Sequence, residues 1–503
     1  MRSWWILVLL CLVTRLPALR YDVISDDEAI YEAMGRTIAD GGVMYRDTID
    51  HKPPGLAYTY ALVRIACGGR SRLAIDAIHV LGLLVVLVTA LALAAIARRL
   101  ALDGTWAAIG YVLVSAIKSP VDGLAVNGEL MLNLPTALAL LCVLEAGKRP
   151  GARGTALDAL AGALACIAGL YKYQGFAIGL VLPVVWASRR ASARALTSAA
   201  LSTALGTALV VGAVITCFAA HHALAEAVDW ALLFNRRYLA EGPTLCGAAT
   251  RLCMQLVGIV LPGLLFYAAG FVGLLAVGRR RGWTALIVIV WTALTVGCVT
   301  LGGRFFGHYF VQLELPLSLA ASPILAAWSV TNPRRVALGC ILPTLLFFTI
   351  AMLPTQTRPW LNPDDPDVAA IGRAIAEMST PDETLWVWGN VPQLYYAADR
   401  RPGVRYTFCN YLTGLSPATP SEDDASVDSR EHEVPGAWSL AMRDLEVHPP
   451  AIIVDTAAAG LKSYGKYPIA AYPALALVLQ QHYMRVAQVD GVVLWRRIDR
   501  LRR

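Results

Sequence analysis

Charge is what this chain has least of. Only 16% of its 503 residues are Asp, Glu, Lys or Arg, against 57% hydrophobic, where a soluble protein carries about 25% charged residues. That deficit excludes a soluble globular enzyme and points to a polytopic α-helical membrane protein. A formal net charge of +7 would suit nucleic acid, but the arginines stand in short clusters between apolar runs. Such clusters mark loops retained in the cytoplasm rather than a binding face, so no nucleic-acid partner is expected. Paired cysteine spacing is missing as well. The 10 cysteines are scattered, mostly inside apolar runs, and none has the spacing of a zinc or iron–sulfur site. Cys246 and Cys253 lie near one membrane face, where they are placed to pair, although inert core thiols fit them better. With no metal-binding cluster and no internal repeat in view, no cofactor is expected, a divalent metal being left open.

What is present is a series of eleven apolar runs: residues 4–19, 74–97, 104–118, 129–146, 155–171, 174–188, 197–219, 252–277, 284–301, 310–329 and 336–353. A membrane-crossing helix needs roughly 20 apolar residues, and flanking residues supply the shortfall of the shorter runs. The clusters Arg98-Arg99, Lys148 to Arg153, Arg189 to Arg194, Arg279 to Arg281 and Arg334-Arg335 fall in alternate loops, which places all five in the cytoplasm. The run after Arg2 has no small-residue cleavage site of the A-x-A kind and reads as an uncleaved first helix with a cytoplasmic N-terminus. Loops 20–73, 118–128, 172–173, 220–251, 302–309 and the chain beyond about 354 then face outward. This is the topology of a multi-pass membrane protein.

Two outer stretches read as interfacial helices. Gly55 to Cys67 is too short to span and carries Arg64, while Ala223 to Leu239 places Trp230, Phe234 and Tyr238 at spacings of four, an aromatic face for the membrane surface. After Pro354, charges and prolines return. Helical periodicity at Val368 to Met378 and Pro392 to Asp399, and strand signals at Thr384 to Trp388, Ala451 to Asp455 and Val492 to Arg496, predict a small α/β domain. Ser416 to Gly436, acidic and rich in Pro and Ser, reads as a mobile loop. The expected organisation is a membrane unit over 1–353, with 20–73 as its first outer loop, and an extracytoplasmic α/β domain over 354–503.

The unusual polar residues crowd into the outer loops. Ser25 and Glu28 match a capping box, with Asp26 and Asp27 in the first helical turn; a cap accounts for one or two acids better than for three. Asp47 and Asp50 follow, then His51-Lys52-Pro53-Pro54-Gly55, where the prolines hold the Lys52 backbone extended. Lys52 reads either as an anchor to lipid headgroups or as a phosphate ligand. Asn127-Gly128-Glu129 sets a carboxylate at the edge of an apolar run, where ionisable groups are expensive and functional. Tyr171-Lys172-Tyr173 puts a lysine between aromatics, a pattern that an interfacial belt with a snorkelling lysine also explains. Gly302 to Phe310, GGRFFGHYF, carries Arg304 and His308 four apart, a cationic patch suited to an anionic headgroup. Acids and cations on one face suit transfer of a group from a lipid phosphate, a carboxylate taking the acceptor proton and cations meeting the charge on the departing phosphate.

The segments DDEAIYEAMGR, HKPPG, NGE and GGRFFGHYF together resemble bacterial family 39 glycosyltransferases, relatives of protein O-mannosyltransferases and of the aminoarabinose transferase of lipid A. The resemblance runs over essentially the whole chain. It implies the GT-C membrane fold and an inverting transfer from a polyprenyl-phosphate sugar to a lipid, glycan or protein acceptor. It also implies Asp27 as catalytic base with Glu28 beside it, Glu129 as the acid of the second outer loop, and Lys52 at the donor phosphate. Lys172, Arg304 and His308 join Lys52 as phosphate ligands by charge. His51 departs from the acid that precedes this lysine in the aminoarabinose branch, so the resemblance does not extend to that branch's acceptor. The competing reading, a transporter or flippase, would place charges mid-bilayer and favour repeated halves. A sensor built around the soluble domain would leave the first-loop acids without a task.

Overall fold

A hydrocarbon environment forces each backbone polar group to find its partner within the chain, and in the computed structural model the described residues of the eleven apolar runs are mostly helical. It describes residues 4–149, 151–189, 192–279, 282–351, 367–424 and 426–500. In chain order come α1 (Trp4–Arg15), α2 (Asp26–Ala39), α3 (Gly55–Ala66), α4 (Ser71–Arg99), α5 (Gly104–Ala116), α6 (Pro120–Gly123), α7 (Gly128–Ala146), α8 (Ala152–Tyr171), α9 (Ile178–Ser188) and α10 (Ala193–Ala220). Further apolar helices cover Leu245–Val260, Leu264–Arg279, Trp283–Thr300, Glu314–Thr331 and Pro333–Ala351. Among the described residues seven helices are long and apolar enough to cross a membrane, or eight if Leu224–Ala240 and Leu245–Val260, bent by 103°, count as one span. The chain is a multi-pass membrane protein.

The run expected as one span over 252–277 is broken. Its helix stops at Val260 and restarts at Leu264, because Pro262 lacks the N–H that would continue the ladder. Elsewhere small residues set the packing. A Cβ on Gly162 would lie 1.9 Å from the Thr203 carbonyl oxygen, one on Gly206 1.8 Å from that of Ala159, and one on Gly273 1.9 Å from that of Ala320. Backbones this close gain dispersion contacts that lipid tails cannot offer.

The basic clusters gather at one end of the bundle. Arg99 pairs with Glu145 at 2.6 Å and Arg189 with Asp158 at 3.0 Å, while Thr284 donates to the carbonyl of Leu100 at 3.1 Å. Arg2, Arg190, Arg280 and Arg281 of the expected cytoplasmic set lie outside the described residues, as does the expected boundary at 353/354.

The C-terminal sheet domain sits at the opposite end. Its five-stranded sheet has the order β2-β1-β3-β5-β4, with β1 Thr384–Trp388, β2 Arg401–Pro402, β3 Ile452–Asp455, β4 Tyr483–Val489 and β5 Val492–Arg497. β1 runs parallel to both β2 and β3, and β5 pairs antiparallel with β3 and β4. The two strands absent from the sequence expectation, β2 and β4, stand at the sheet's edges. There one is two residues long and the other exposes Met484 and Arg485, so neither shows a buried run. Ile49 donates its N–H to the Arg405 carbonyl at 3.0 Å, and Arg36, only 4% exposed, pairs with Asp399 at 2.6 Å. These contacts hold the domain on the first outer loop.

Two local expectations change. The stretch 223–239 is not one regular amphipathic helix: a π-helical turn over Asp229–Leu233 separates Leu224–Val228 from Phe234–Ala240. That wider turn sends the aromatics inward, Trp230 onto Tyr411 at 4.9 Å and Tyr238 onto His51 at 4.3 Å between centroids, leaving Leu232, Leu233 and Leu239 exposed. The acidic stretch 416–436 packs rather than hanging free. Ser416, Thr419, Ser421 and Ser429 are buried, and Ser429 Oγ donates to the Thr413 carbonyl at 2.7 Å; Ala425 lies outside the described residues. Cys246 and Cys253 are both exposed and unpaired.

Candidate active site

Three of the loops expected to face outward meet where two glycines allow it. A Cβ on Gly55, at the start of α3, would lie 2.6 Å from the Leu170 carbonyl oxygen, and one on Gly128, at the start of α7, 2.8 Å from that of Tyr171. Both helix starts therefore close onto the end of α8 and bring Lys52, Glu129 and Lys172 together. Asn127 caps α7 by accepting the Leu130 N–H at 3.0 Å. Ser25 caps α2 by accepting the Glu28 N–H at 3.1 Å, which sets Asp26 and Asp27 in the first turn.

These elements enclose a cavity of about 430 Å³, lined among others by Asp27, Asp50, Lys52, Asp122, Lys172 and His308. Lys52 Nζ lies 2.8 Å from Asp27 Oδ1 and 3.7 Å from Asp50 Oδ2. Burial raises the Asp27 carboxyl, but Lys52 and then His308 outweigh it and hold the group down at about 2. Burial likewise opposes the charge on Lys52, and Asp27 and Asp50 more than restore it, so the ammonium holds its proton well above the usual lysine range. Asp50 is itself held by the His51 backbone N–H at 2.7 Å and the Tyr411 hydroxyl at 3.2 Å. Across the cavity Lys172 ion-pairs with Glu129, whose side chain is 1% exposed, and lies over the Tyr309 ring at 4.1 Å.

His308 joins the two pairs. Its Nε2 is 3.9 Å from both Asp27 Oδ2 and Glu129 Oε1, and its Nδ1 is 3.4 Å from Asp122 Oδ1. The Phe306 ring lies nearly parallel to the imidazole, at 4° and 5.6 Å between centroids. Gly307 is required here, since a Cβ would meet Asp122 Oδ2 at 2.3 Å.

The expected site residues divide. Asp27, Lys52, Lys172 and His308 line the cavity, and Glu129 joins them through its ion pair with Lys172. Glu28 does not: it is buried, its carboxylate accepts the N–H groups of Ile24 and Val126, each at 2.7 Å, and it stands 3.4 Å from His79. It staples α2 to the loop before α7. Arg304 also turns away. Its guanidinium donates to the carbonyls of Tyr238 at 2.9 Å, Glu241 at 2.8 Å and Pro417, and stacks on the Tyr238 ring at 3.9 Å. It clamps loops together and does not face the cavity. The sequence reading missed Asp122, a carboxylate just before an apolar run like Glu129, and Asn410, Tyr411 and Lys462, which reach the cavity from the soluble part. Only their tertiary position marks them. Among the described residues no group of three or more His, Cys, Asp or Glu is placed to hold a metal ion; Asp27 and Glu129, each 3.9 Å from His308, carry lysine partners.

No family model and no curated protein matches the sequence. Solved structures do match the fold. ArnT from Cupriavidus metallidurans, bound to undecaprenyl phosphate, aligns at 17% identity with a TM-score of 0.62 over 98% of both chains. The oligosaccharyltransferase AglB from Archaeoglobus fulgidus, in complex with an inhibitory peptide and a dolichol-phosphate, aligns at 14% and 0.55 over 98% of this chain and 74% of its own. The same oligosaccharyltransferase with zinc and sulfate aligns at 14% and 0.53, over 98% and 73%. The expected GT-C architecture, a polytopic helical unit with a C-terminal sheet domain, is the fold this chain has.

Proposed function

We propose that the protein is a membrane glycosyltransferase that takes a sugar from a polyprenyl monophosphate and passes it to a hydroxyl acceptor on the outer face of the membrane. One observation carries this: a carboxylate, Asp27, and two lysines, Lys52 and Lys172, share one cavity at the end of the bundle away from the basic clusters. The solved relatives in fold that hold undecaprenyl phosphate and dolichol-phosphate support a lipid-linked donor. The positive-inside distribution supports an outward-facing cavity, a cytoplasmic N-terminus and an extracytoplasmic sheet domain.

In this reading Lys52 and Lys172 bind the donor phosphate as point charges. Lys52 then leaves Asp27 in part, and the carboxylate, no longer neutralised, gains proton affinity. The acceptor oxygen attacks the anomeric carbon as its proton passes to Asp27. The bond from that carbon to the phosphate oxygen breaks, its electron pair stays on the phosphate, and the lysines stabilise the charge that develops there. A single displacement inverts the anomeric centre. Glu129 keeps Lys172 in place, and Asp122 holds His308 between the two pairs.

The decisive experiment replaces Asp27 with Asn and measures transfer from polyprenyl-phosphate sugar in native membranes. A positioned base contributes about 10²–10⁴-fold, so transfer falls by that factor while the protein stays folded and still binds polyprenyl phosphate. Undiminished transfer would remove Asp27 as base.

A further inference from the structure

The soluble sheet brings three loops to the cavity, and they come from the same edge. β2, β1 and β3 lie side by side in that order and run parallel. The chain leaves β1 toward β2, then crosses back to β3 on the other side. In sheets with this arrangement, ligands bind in the crevice outside the carboxyl ends of the strands, where the direction of winding reverses. Asn390 follows β1 by two residues. Asn410 lies in the segment after β2, beside the end of β1, because the Cys409 N–H donates to the Gly389 carbonyl at 3.0 Å. Lys462 follows β3 in a loop tied back by the Leu461 N–H on the Thr456 carbonyl at 3.3 Å. A Cβ on Gly389 would lie 1.8 Å from Thr456 Oγ1, so the β1 and β3 loops can close only over glycine.

All three side chains line the same cavity as Asp27 and Lys52. Asn410 is 7% exposed; its Oδ1 accepts the Tyr464 hydroxyl at 2.8 Å, and among the described residues its Nδ2 has no partner. An amide donor left without a protein partner at the wall of a cavity marks a place where a ligand acceptor fits. Asn390 is half-buried, and among the described residues its amide is likewise without a hydrogen bond. Lys462, with Ser463 beside it, holds a left-handed backbone at φ 50° and 65°, a strain that non-glycine residues bear only where the surroundings impose it. It presents its ammonium 3.2 Å from Asp26 Oδ2, next to the proposed base. Tyr411, adjacent to Asn410, reaches Asp50 at 3.2 Å, and Asp50 stands 3.7 Å from Lys52. The amides therefore lie within a sugar's reach of the phosphate ligands.

We propose that Asn390, Asn410 and Lys462 form a sugar-ring subsite, so that the soluble domain reads the hydroxyls of the glycosyl group while the membrane helices hold the phosphate. Neutral amides with free donors beside a lysine suit hydroxyl and ring oxygens better than a second phosphate. The inference rests on the glycosyltransferase reading. The ring belongs either to the donor or to a glycan acceptor.

The test uses the full chain in nanodiscs with Asn390→Ala and Asn410→Ala. Two probes are titrated, undecaprenyl phosphate without sugar and the polyprenyl-phosphate sugar fraction extracted from host membranes. Thermal unfolding checks that each variant folds; Asn390→Ala, which removes no internal bond, carries the test should Asn410→Ala unfold. For a donor subsite, affinity for the sugar-bearing lipid falls about 10-fold and that for undecaprenyl phosphate does not move. For an acceptor subsite, both lipid affinities hold and the KM for the host-membrane acceptor rises about 10-fold. If no affinity and no KM changes, or if both lipids weaken together, the subsite is wrong. Wild-type protein that binds neither lipid would instead overturn the glycosyltransferase reading on which it depends.

Discussion

Asp27 owes its character to its neighbours. Held at about 2 against an ordinary 3.8, it is ionised throughout the physiological range, as the proposed base must be, yet it is a weak proton acceptor while Lys52 stays paired to it. The same depression has a stability consequence. A carboxyl lowered in the folded state stabilises the fold above its ordinary value and loses that contribution as pH falls through the lowered one. The melting-temperature difference between wild type and Asp27→Asn is thus expected to be constant above about pH 4.5 and to shrink as pH falls toward 2. A difference that already vanishes near pH 6 would mean the group is raised rather than lowered. Arg304 teaches the converse at the same scale. Its charge suggested a phosphate ligand, but a guanidinium with carbonyls on its donors has no fork left to offer one.

At the scale of elements, the site depends on how closely backbones approach. Gly307 opens a 3-10 turn, Gly307–Leu313, and leaves room for the Asp122 carboxylate beside His308. Gly307→Ala would put a methyl group 2.3 Å from Asp122 Oδ2, so either the α6 loop or His308 must move. Overpacking of this kind costs about 1–3 kcal/mol. The expected outcome is a folded protein with transfer reduced by at least about 10-fold, since misplacement by an ångström is enough to lose that factor. Transfer rates and a melting curve on the same preparation separate the two effects. Normal transfer would show that the Asp122–His308 contact is incidental. Element types were largely legible beforehand. Helices over 368–377 and 393–397 and strands over 384–388, 452–455 and 492–497 fall where periodicity put them, because a pattern of burial repeats along the chain. The π-helical turn at Asp229–Leu233 was not legible, since it answers to His51 and Tyr411, partners far away in sequence.

At the scale of the whole molecule, the question is what keeps the sheet domain on the cavity. Arg36 is central: buried, it pairs with Glu32 at 3.3 Å within α2 and with Asp399 at 2.6 Å across to the domain, and donates to Ser71 Oγ at 2.6 Å. Arg36→Ala would leave the Glu32 carboxylate, 4% exposed, with only Arg64 at 3.4 Å. Removing one partner of a buried pair costs about 3–5 kcal/mol. The variant is expected to melt earlier and to admit protease between the domain and the first outer loop, with transfer lost in parallel, whereas Asp399→Asn, at the exposed end of the pair, should be milder. Limited proteolysis with melting curves on both variants decides this. If Arg36→Ala leaves proteolysis and transfer unchanged, the domain is held by other contacts and the network is incidental.

The amino-acid sequence by itself determined the class of molecule, the positions of its apolar helices, the segregation of basic clusters from acidic loops, and an acid–lysine island worth calling a site. These follow from transfer free energies, which each side chain carries with it whatever its neighbours are. Tertiary structure alone decided which charges meet. It spent Glu28 on backbone N–H groups and Arg304 on carbonyls, recruited Asp122, and closed the cavity with residues from Asn390 to Lys462, more than three hundred positions from Asp27. Pairing is a short-range interaction between groups that only folding brings near, so charge and spacing named the candidates and geometry chose among them.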